Sequence, residues 1–321
     1  MNVVVTGAAG FIGSRVADVL LKDDSPIKVS KLVLVDSLPP PERNDKRVTC
    51  LALDLTEPSA IDKVITADTN IVFHLAAVVS GHAEADFDYG LKVNFDATRA
   101  LVERARHVSS SIRFVFSSTC GAFGGDLPPV VTDGTATTPQ STYGIAKAMC
   151  ELLLNDYGRK GFVDTRVVRL PTVSVRAGTA NRAVTSFASG IIREPLNGEE
   201  AVCPVDEDLK LWLSSPYTVV RNIVHAATIS QDVLGPWRVI NLPGICVSVR
   251  EMIQALREVA GNKIAQLVRF ERDELISRLV SSFPSLFDNT RGLKLGFSVD
   301  ENYADIVRLY IQNDLKFNKS M

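Results

Sequence analysis

Three glycines, spaced three residues apart, follow directly on an apolar segment at the start of the chain. Residues 2–6 read NVVVT, and Gly7, Gly10 and Gly13 come next. In such a pattern the first glycine permits a tight turn out of a strand, and the second lets the backbone approach a diphosphate. The third allows a helix to pack closely on the sheet. Because residues 11–21 have helical apolar spacing, we predict a strand, a phosphate-binding turn and a helix.

Strand-like and helix-like segments alternate over the first 170 residues, which predicts a doubly wound parallel α/β sheet of the Rossmann type. Predicted strands cover 2–6, 31–36, 48–54, 71–76, 112–117 and 165–170, and predicted helices cover 11–21, 59–67, 89–108 and 143–158. The later pattern is mixed, with helices expected at 216–230 and 249–259. We therefore expect a dinucleotide-binding domain over residues 1–174 and a smaller, intertwined substrate lobe over residues 175–321.

An acidic residue, Asp36, ends the second predicted strand. A carboxylate there can accept hydrogen bonds from both hydroxyls of the adenosine ribose and would repel a 2′-phosphate, so we expect NAD rather than NADP. Asp54 ends the third predicted strand and is a second candidate, for the adenine amino group. The alternative for Asp54 is a helix cap before Glu57-Pro58.

A tyrosine and a lysine, Tyr143 and Lys147, are spaced four residues apart, which places both on one face of the predicted helix. A phenol has a pKa of about 10 and is a poor base at neutral pH. We predict that the ammonium, together with an oxidised nicotinamide ring, lowers this pKa. Thr119, just beyond a predicted strand, supplies a hydroxyl for a substrate oxygen. The alternative for Tyr143 and Lys147 alone is an exposed amphipathic helix.

The overall composition argues against several other classes of protein. The formal net charge is −2, which gives no support for binding to nucleic acid or an anionic membrane. The five cysteines have no metal-ligand spacing, so we expect reduced thiols and no metal. Since no signal peptide or membrane span is recognisable, we expect a cytoplasmic protein.

Seven short motifs, in this order, resemble the extended short-chain dehydrogenase/reductase family. They are TGAAGFIG (6–13), VD (35–36), HLAA (74–77), VN (93–94), SSTCGAFG (117–124), YGIAK (143–147) and RLPTV (169–173). The resemblance implies that Tyr143 accepts a proton, that Lys147 is its partner and that Thr119 is the hydroxyl donor. The cofactor contacts that it implies are Gly7, Gly10, Phe11, Ile12, Asp36, Asp54, Leu55, Leu75, Ala76, Asn94, Tyr143, Lys147 and Pro171.

The chain departs from the nucleotide-sugar members of that family at three places. Phe123 replaces a tyrosine, and Cys120-Gly121 stands where dehydratases carry an acid and a base. Residues 210–216 read KLWLSSP, where those members supply an arginine to a diphosphate. Residues 186–205 and 211–216 instead resemble the branch that oxidises the four-carbon acid D-erythronate. This implies oxidation at C2 to 2-oxo-tetronate, with Tyr143 taking the hydroxyl proton.

A sugar acid needs a cation to meet its carboxylate, and a guanidinium suits that planar group. Arg176 and Arg182 follow the sixth predicted strand, and for each the alternative is a solvated surface arginine. Other candidates for the same substrate pocket are Asn181, Ser186 and Trp212. Trp212 could equally belong to the core.

The predicted helices at 89–108 and 143–158 carry broad apolar faces. In the resembling family such helices pair across a two-fold axis, so we expect a homodimer; the alternative is that they only cover the sheet. Two further functions stay open. One is a nucleotide-sugar 4-epimerase with tightly bound NAD, and the other is a non-catalytic redox sensor, which would not need the Tyr143, Lys147 and Thr119 set.

Overall fold

The computed structural model describes residues 1–179 and 183–315. Its strands are β1 (Asn2–Thr6), β2 (Lys31–Asp36), β3 (Val48–Ala52), β4 (Ile71–His74), β5 (Arg113–Thr119), β6 (Asp164–Leu170), β7 (Thr172–Val173), β8 (Ala201–Cys203), β9 (Lys210–Ser214), β10 (Val239–Asn241), β11 (Ile245–Ser248) and β12 (Val268–Phe270). Its α-helices are α1 (Phe11–Leu21), α2 (Pro58–Val64), α3 (Ser80–Ala85), α4 (Phe87–Leu91), α5 (Ala97–Val108), α6 (Thr142–Arg159), α7 (Phe187–Leu196), α8 (Pro216–Ala226), α9 (Gln231–Leu234), α10 (Val249–Ala260), α11 (Asn262–Ala265), α12 (Glu274–Ser281), α13 (Thr290–Lys294) and α14 (Tyr303–Asn313).

Seven parallel strands form the central sheet, in the order β10-β6-β5-β4-β1-β2-β3. Helices cover both faces, so the strands are buried and apolar, as in β1, where Val3, Val4 and Val5 are at most 2% exposed. The predicted doubly wound parallel fold is therefore confirmed. The strand order reverses at β1, between β4 and β2, and ligands of such sheets bind beyond the carboxyl ends of the strands at that point.

The stretch predicted as one long helix over 89–108 is helical throughout, but it contains a π-helical turn that was not predicted. It consists of α4, the π-helical turn over Lys92–Asp96, and α5. Asn94 lies in the widened turn and is buried, and its side-chain amide accepts from the N–H of Val78 at 3.0 Å and donates to its carbonyl at 3.1 Å. π-helical turns occur mostly at functional sites. Here the turn directs Asn94 inward, where it holds the loop after β4.

The residues beyond 174 divide between two cores. One part, together with β7 from just before this boundary, forms two small sheets, β11-β9-β7 and β12-β8, which pack with α7, α10 and α14 around their own apolar cluster. Another part returns to the central sheet. β10 pairs with β6 at the sheet edge, and Val220 and Ile223 of α8 pack in the same cluster as Val3 and Leu32. The C-terminal segment is therefore intertwined with the first 174 residues.

Candidate active site

A cleft of about 370 Å³ opens at the carboxyl ends of β1, β4, β5 and β6. The predicted site residues among its lining are Gly7, Gly10, Phe11, Ile12, Leu75, Thr119, Tyr143, Lys147, Pro171 and Arg176. These residues come from strand ends, loops and the N-terminal turns of α1 and α6, and they are up to 169 residues apart in the sequence (176 − 7). They meet because parallel strands bring their carboxyl ends to one edge of a sheet.

The glycine turn leaves no room for side chains at two of its positions. A Cβ at Gly7, whose φ is +70°, would lie 2.6 Å from the amide nitrogen of Ala76, and one at Gly13 would lie 2.1 Å from the Gly7 carbonyl oxygen. Gly10 is the N-cap of α1 and gives its first turn no side-chain hydrogen bond. The N–H groups of that turn therefore face the cleft, and together with the helix dipole they fit a diphosphate.

The two acidic candidates differ in their positions. Asp36 lies beside the glycine turn, and its Oδ2 accepts from the N–H of Ala9 at 3.0 Å, which leaves further lone pairs for ribose hydroxyls. Asp54 is exposed, and its Oδ1 accepts from the N–H of Thr56 at 2.9 Å in the turn before α2. The N-cap of α2 is Glu57, so Asp54 shapes this turn without capping the helix.

Three other predicted cofactor contacts lie behind the cleft surface. Leu55 is buried in an apolar cluster, against which Ala76 packs in part. The amide of Asn94 is engaged with Val78 in both directions. Asn94 therefore fixes the loop that lines the cleft.

A buried histidine supports the same loop. Nδ1 of His74 accepts from the Thr6 hydroxyl at 2.7 Å, because that hydroxyl oxygen itself accepts from two backbone N–H groups. Nε2 lies 2.9 Å from the hydroxyl of Thr98, whose own hydrogen goes to the Asn94 carbonyl. His74 is therefore neutral with its hydrogen on Nε2. Burial, together with the charge of Lys147, lowers its pKa to about 3.

The Tyr–Lys pair lies at the start of α6. The helix begins after Ser141, whose hydroxyl accepts from the N–H of Gly144 at 3.1 Å and fixes the first turn. Nζ of Lys147 lies 5.7 Å from the Tyr143 ring centroid and donates to the Ser117 carbonyl at 2.9 Å. The lysine thus joins α6 to the end of β5. It is 1% exposed, and burial lowers its pKa to about 8, so it stays mainly an ammonium at neutral pH.

The predicted lowering of the Tyr143 pKa depends on an oxidised nicotinamide ring as well as on Lys147, and it stays a prediction. In the chain itself burial, together with the neighbouring Cys120, raises the pKa of the phenol to about 12. Burial also raises the pKa of the Cys120 thiol, to about 11, so this group is not an activated thiolate.

The hydroxyl of Thr119 is oriented by the backbone that follows it. Its Oγ1 accepts from the N–H of Gly121 at 3.0 Å. Since the oxygen is engaged as an acceptor, the hydroxyl hydrogen is available to donate into the cleft. Thr119 is therefore suited to hold a substrate oxygen.

A buried ion pair beneath these groups was not predicted. Glu151 follows Lys147 by four residues on α6, and its carboxylate accepts from Arg169 Nε at 2.9 Å and Nη2 at 2.7 Å. It also accepts from the hydroxyl of Ser118, and Arg169 Cζ lies 4.5 Å from the Phe123 ring centroid. The spacing of Tyr143, Lys147 and Glu151 on one helix face could have indicated this residue.

The residues predicted to bind substrate separate into three groups. Arg176 lines the cleft, and burial together with the charge of Arg193 lowers its pKa. Ser186 is the N-cap of α7, next to the cleft-lining Thr185. Asn181 and Arg182 lie outside the described residues.

Trp212 does not line the cleft, which corrects its prediction as a substrate contact. It is 4% exposed, and its ring centroid lies 5.2 Å from that of Phe287 in an apolar cluster that also holds Phe123. β9 places this side chain in the interior, where its large apolar surface is removed from water.

Across 1–179 and 183–315, no group of three or more His, Cys, Asp or Glu residues is arranged to hold a metal ion. No helix in the same ranges is both long and apolar enough to cross a bilayer.

Comparison with known proteins shows the family of the chain. A family model described as the NAD dependent epimerase/dehydratase family matches residues 3–229. The chain belongs to this family. Members therefore use a nicotinamide dinucleotide, and the glycine turn, the first turn of α1 and Asp36 fit such a cofactor.

Individual members of the family resemble the chain over almost its full length. The D-erythronate dehydrogenase of Haemophilus influenzae is 50% identical over 316 residues, which cover 98% of this chain and 100% of that protein. The D-erythronate dehydrogenase of Cupriavidus necator is 47% identical over 319 residues and 98% of each chain. A solved structure described as the nucleoside-diphosphate-sugar epimerase from Agrobacterium tumefaciens has a TM-score of 0.94 at 39% identity, covering 98% of this chain and 94% of that one.

Proposed function

We propose that this protein oxidises D-erythronate at C2 to 2-oxo-tetronate, reducing NAD⁺ to NADH and releasing one proton. The observation that carries the proposal is that one cleft beside the glycine turn is lined by Tyr143, Lys147, Thr119 and Arg176. Two relatives at 50% and 47% identity that bear this activity in their names support the choice of substrate.

The side chains of the cleft divide the proton chemistry between them. Thr119 donates to the C2 oxygen, and Tyr143 accepts the hydroxyl proton. When bound, oxidised NAD supplies the hydride acceptor and a positive charge that favours the Tyr143 phenolate. Lys147 is held by the Ser117 carbonyl and keeps a second positive charge on the same helix face. Lys147 is buried and Tyr143 is partly buried, which limits the access of water that would compete for the proton.

Arg176 is the proposed partner of the substrate carboxylate. Arg176 lines the cleft and is partly removed from water. Both this burial and the nearby charge of Arg193 disfavour the charged form of its guanidinium. An anion at this position would relieve both penalties, because opposite charges favour each other's ionised forms. A carboxylate can also accept two parallel hydrogen bonds from one guanidinium.

The principal test is NADH formation with purified protein and a panel of D-erythronate, D-threonate, L-threonate and UDP-glucose. We expect turnover on D-erythronate and a loss of roughly 10²- to 10⁴-fold in Tyr143→Phe. Tyr157→Phe is the matched control, since Tyr157 lies on the same helix, and its hydroxyl bonds Glu103 at 2.5 Å outside the cleft. If none of the acids gives NADH, the proposal is refuted. Interconversion of UDP-sugars without net NADH formation would favour an epimerase.

The carboxylate partner is tested by Arg176→Met. We expect KM for D-erythronate to rise about 10- to 100-fold, the range for a lost hydrogen bond to a charged group. D-erythronamide keeps the C2 hydroxyl but has no charge, so its kcat/KM should be nearly the same in both proteins. Equal losses on the acid and the amide would show that Arg176 acts on the fold and not on the carboxylate.

NAD is the proposed form of the dinucleotide, because Asp36 holds a carboxylate beside the glycine turn. Asp36→Ser should raise the ratio of kcat/KM for NADP to that for NAD about tenfold or more, since the repulsion of a 2′-phosphate is removed. An unchanged ratio would show that Asp36 does not face the ribose.

We also propose a homodimer in a reducing cytoplasm. α6 presents Ile145 and Leu152 to the surface, 45% and 61% exposed, and α4 adds Phe87 and Tyr89 nearby. Pairing of these helices with a second copy would remove this apolar surface from water. The cysteines of the chain are all free thiols, which supports the reducing compartment.

A further inference from the structure

The substrate end of the cleft is bounded by an aromatic ring from a distant part of the chain. Phe283 lines the cleft together with Thr119 and Gly121. A Cβ built on Gly121 would lie 3.4 Å from Thr119 Oγ1 and 3.9 Å from Phe283 Cε1. The edge of the Phe283 ring and the Thr119 hydroxyl oxygen therefore lie beside the same glycine, at most 7.3 Å apart (3.4 + 3.9 Å).

Backbone hydrogen bonds fix the segment that carries this ring. The N–H of Phe283 donates to the Val280 carbonyl at 3.1 Å, in the last turn of α12. Further along, the N–H of Val131 donates to the Leu286 carbonyl at 2.9 Å, and the N–H of Asp288 donates to the Val131 carbonyl at 2.9 Å. Because the segment is held on both sides of the ring, it cannot swing aside without losing these bonds.

Packed aromatic side chains hold the same segment in place. The Phe287 ring centroid lies 5.6 Å from that of Phe123 and 5.2 Å from that of Trp212, and all three side chains are buried. Cys120, next to Thr119, belongs to the same apolar cluster. Because Phe287 packs in this cluster, the segment that brings the Phe283 ring to the cleft is anchored four residues away on buried apolar groups.

We propose that Phe283 limits the length of the substrate chain, so that a four-carbon acid fits beside Thr119 while five- and six-carbon acids do not. This inference rests on the proposed oxidation of a sugar acid. It adds to that proposal a specificity-determining residue, which acts by filling the space that the next carbon and its hydroxyl would need.

The test compares D-erythronate with D-ribonate and D-allonate, which continue the same configuration by one and two carbons. We expect Phe283→Ala to raise the ratio of kcat/KM for D-ribonate to that for D-erythronate about 10- to 200-fold, the range for one methylene in a pocket. Phe283→Leu should give a smaller rise in the same direction. A ratio measured within one protein does not depend on how much of that protein is folded.

Leu286→Ala is the matched control, because Leu286 is on the same segment, 39% exposed and outside the cleft lining. Its ratio should stay at the wild-type value. If wild type oxidises D-erythronate and neither Phe283 variant shifts the ratio, the length limit is refuted and the proposed function stands. If wild type oxidises no sugar acid, both proposals fail. If Phe283→Ala is inactive on every acid, the ratio of Phe283→Leu decides.

Discussion

Glu151→Gln should destabilise the protein strongly although the side chain keeps its size. Glu151 and Arg169 have side chains that are each 2% exposed, and two hydrogen bonds of 2.9 and 2.7 Å join them. The amide oxygen of a glutamine can accept only one of these two hydrogen bonds and carries no charge, and the other contacts of Arg169 include the neutral Asn241 Oδ1 at 3.2 Å and the face of Phe123. Removing one partner of a buried pair costs about 3–5 kcal/mol, a large share of a typical free energy of unfolding.

The charge argument is checked by a second substitution. Arg169→Met in the Glu151→Gln background removes the unpaired cation, so the double variant should recover at least about 2 kcal/mol relative to Glu151→Gln. Recovery would separate the cost of an uncompensated charge from the cost of lost packing.

The measurement is urea unfolding followed by circular dichroism, with the m-value compared between variants. Asp156→Asn is the control on the same helix, because Asp156 and Arg159 pair at 2.6 Å with side chains 47% and 56% exposed. An exposed pair contributes less than about 1 kcal/mol. If Glu151→Gln unfolds within about 1 kcal/mol of wild type, the reasoning from burial is refuted.

Gly13→Ala should abolish most NADH binding in a fluorescence titration, because its Cβ would lie 2.1 Å from a backbone oxygen of the turn. Gly190→Ala, whose Cβ would meet only a flexible carboxylate at 3.5 Å, should bind as wild type. Burial lowers the pKa of folded His74 to about 3, against 6.5 for the free side chain. The unfolded chain therefore binds the extra proton, and the free energy of unfolding should fall by up to about 1.4 kcal/mol per pH unit between pH 6.5 and 3. His74→Gln should flatten that slope; an unchanged slope would show that folded His74 takes up the proton. Leu152→Glu should yield a monomer in light scattering while Leu275→Glu, equally exposed but on α12, should not; a dimer in both would place the interface elsewhere.

Local patterns were sufficient to predict the first half of the fold. The bounds of β1, α1 and β2 match their predictions, because buried parallel strands are continuous apolar runs and the glycine turn marks where one element ends. Predicted strands at 48–54 and 71–76 extended too far, since apolar residues of the following loops also pack on the sheet. The π-helical turn at Lys92–Asp96 was not predicted, because one extra residue in a turn cannot be recognised from the helical spacing of apolar residues.

By itself, the sequence determined the chemistry at the start of the site: the glycine turn, Asp36, and a tyrosine and lysine on one helix face. Each depends on residues close together in the chain, so spacing alone specifies their relation. Only the tertiary structure decided the rest. It put Trp212 in the core, paired Glu151 with Arg169, and brought Phe283 to the same cleft as Thr119. These contacts join segments far apart in the sequence, and packing of the whole chain, not local propensity, determines which of them form.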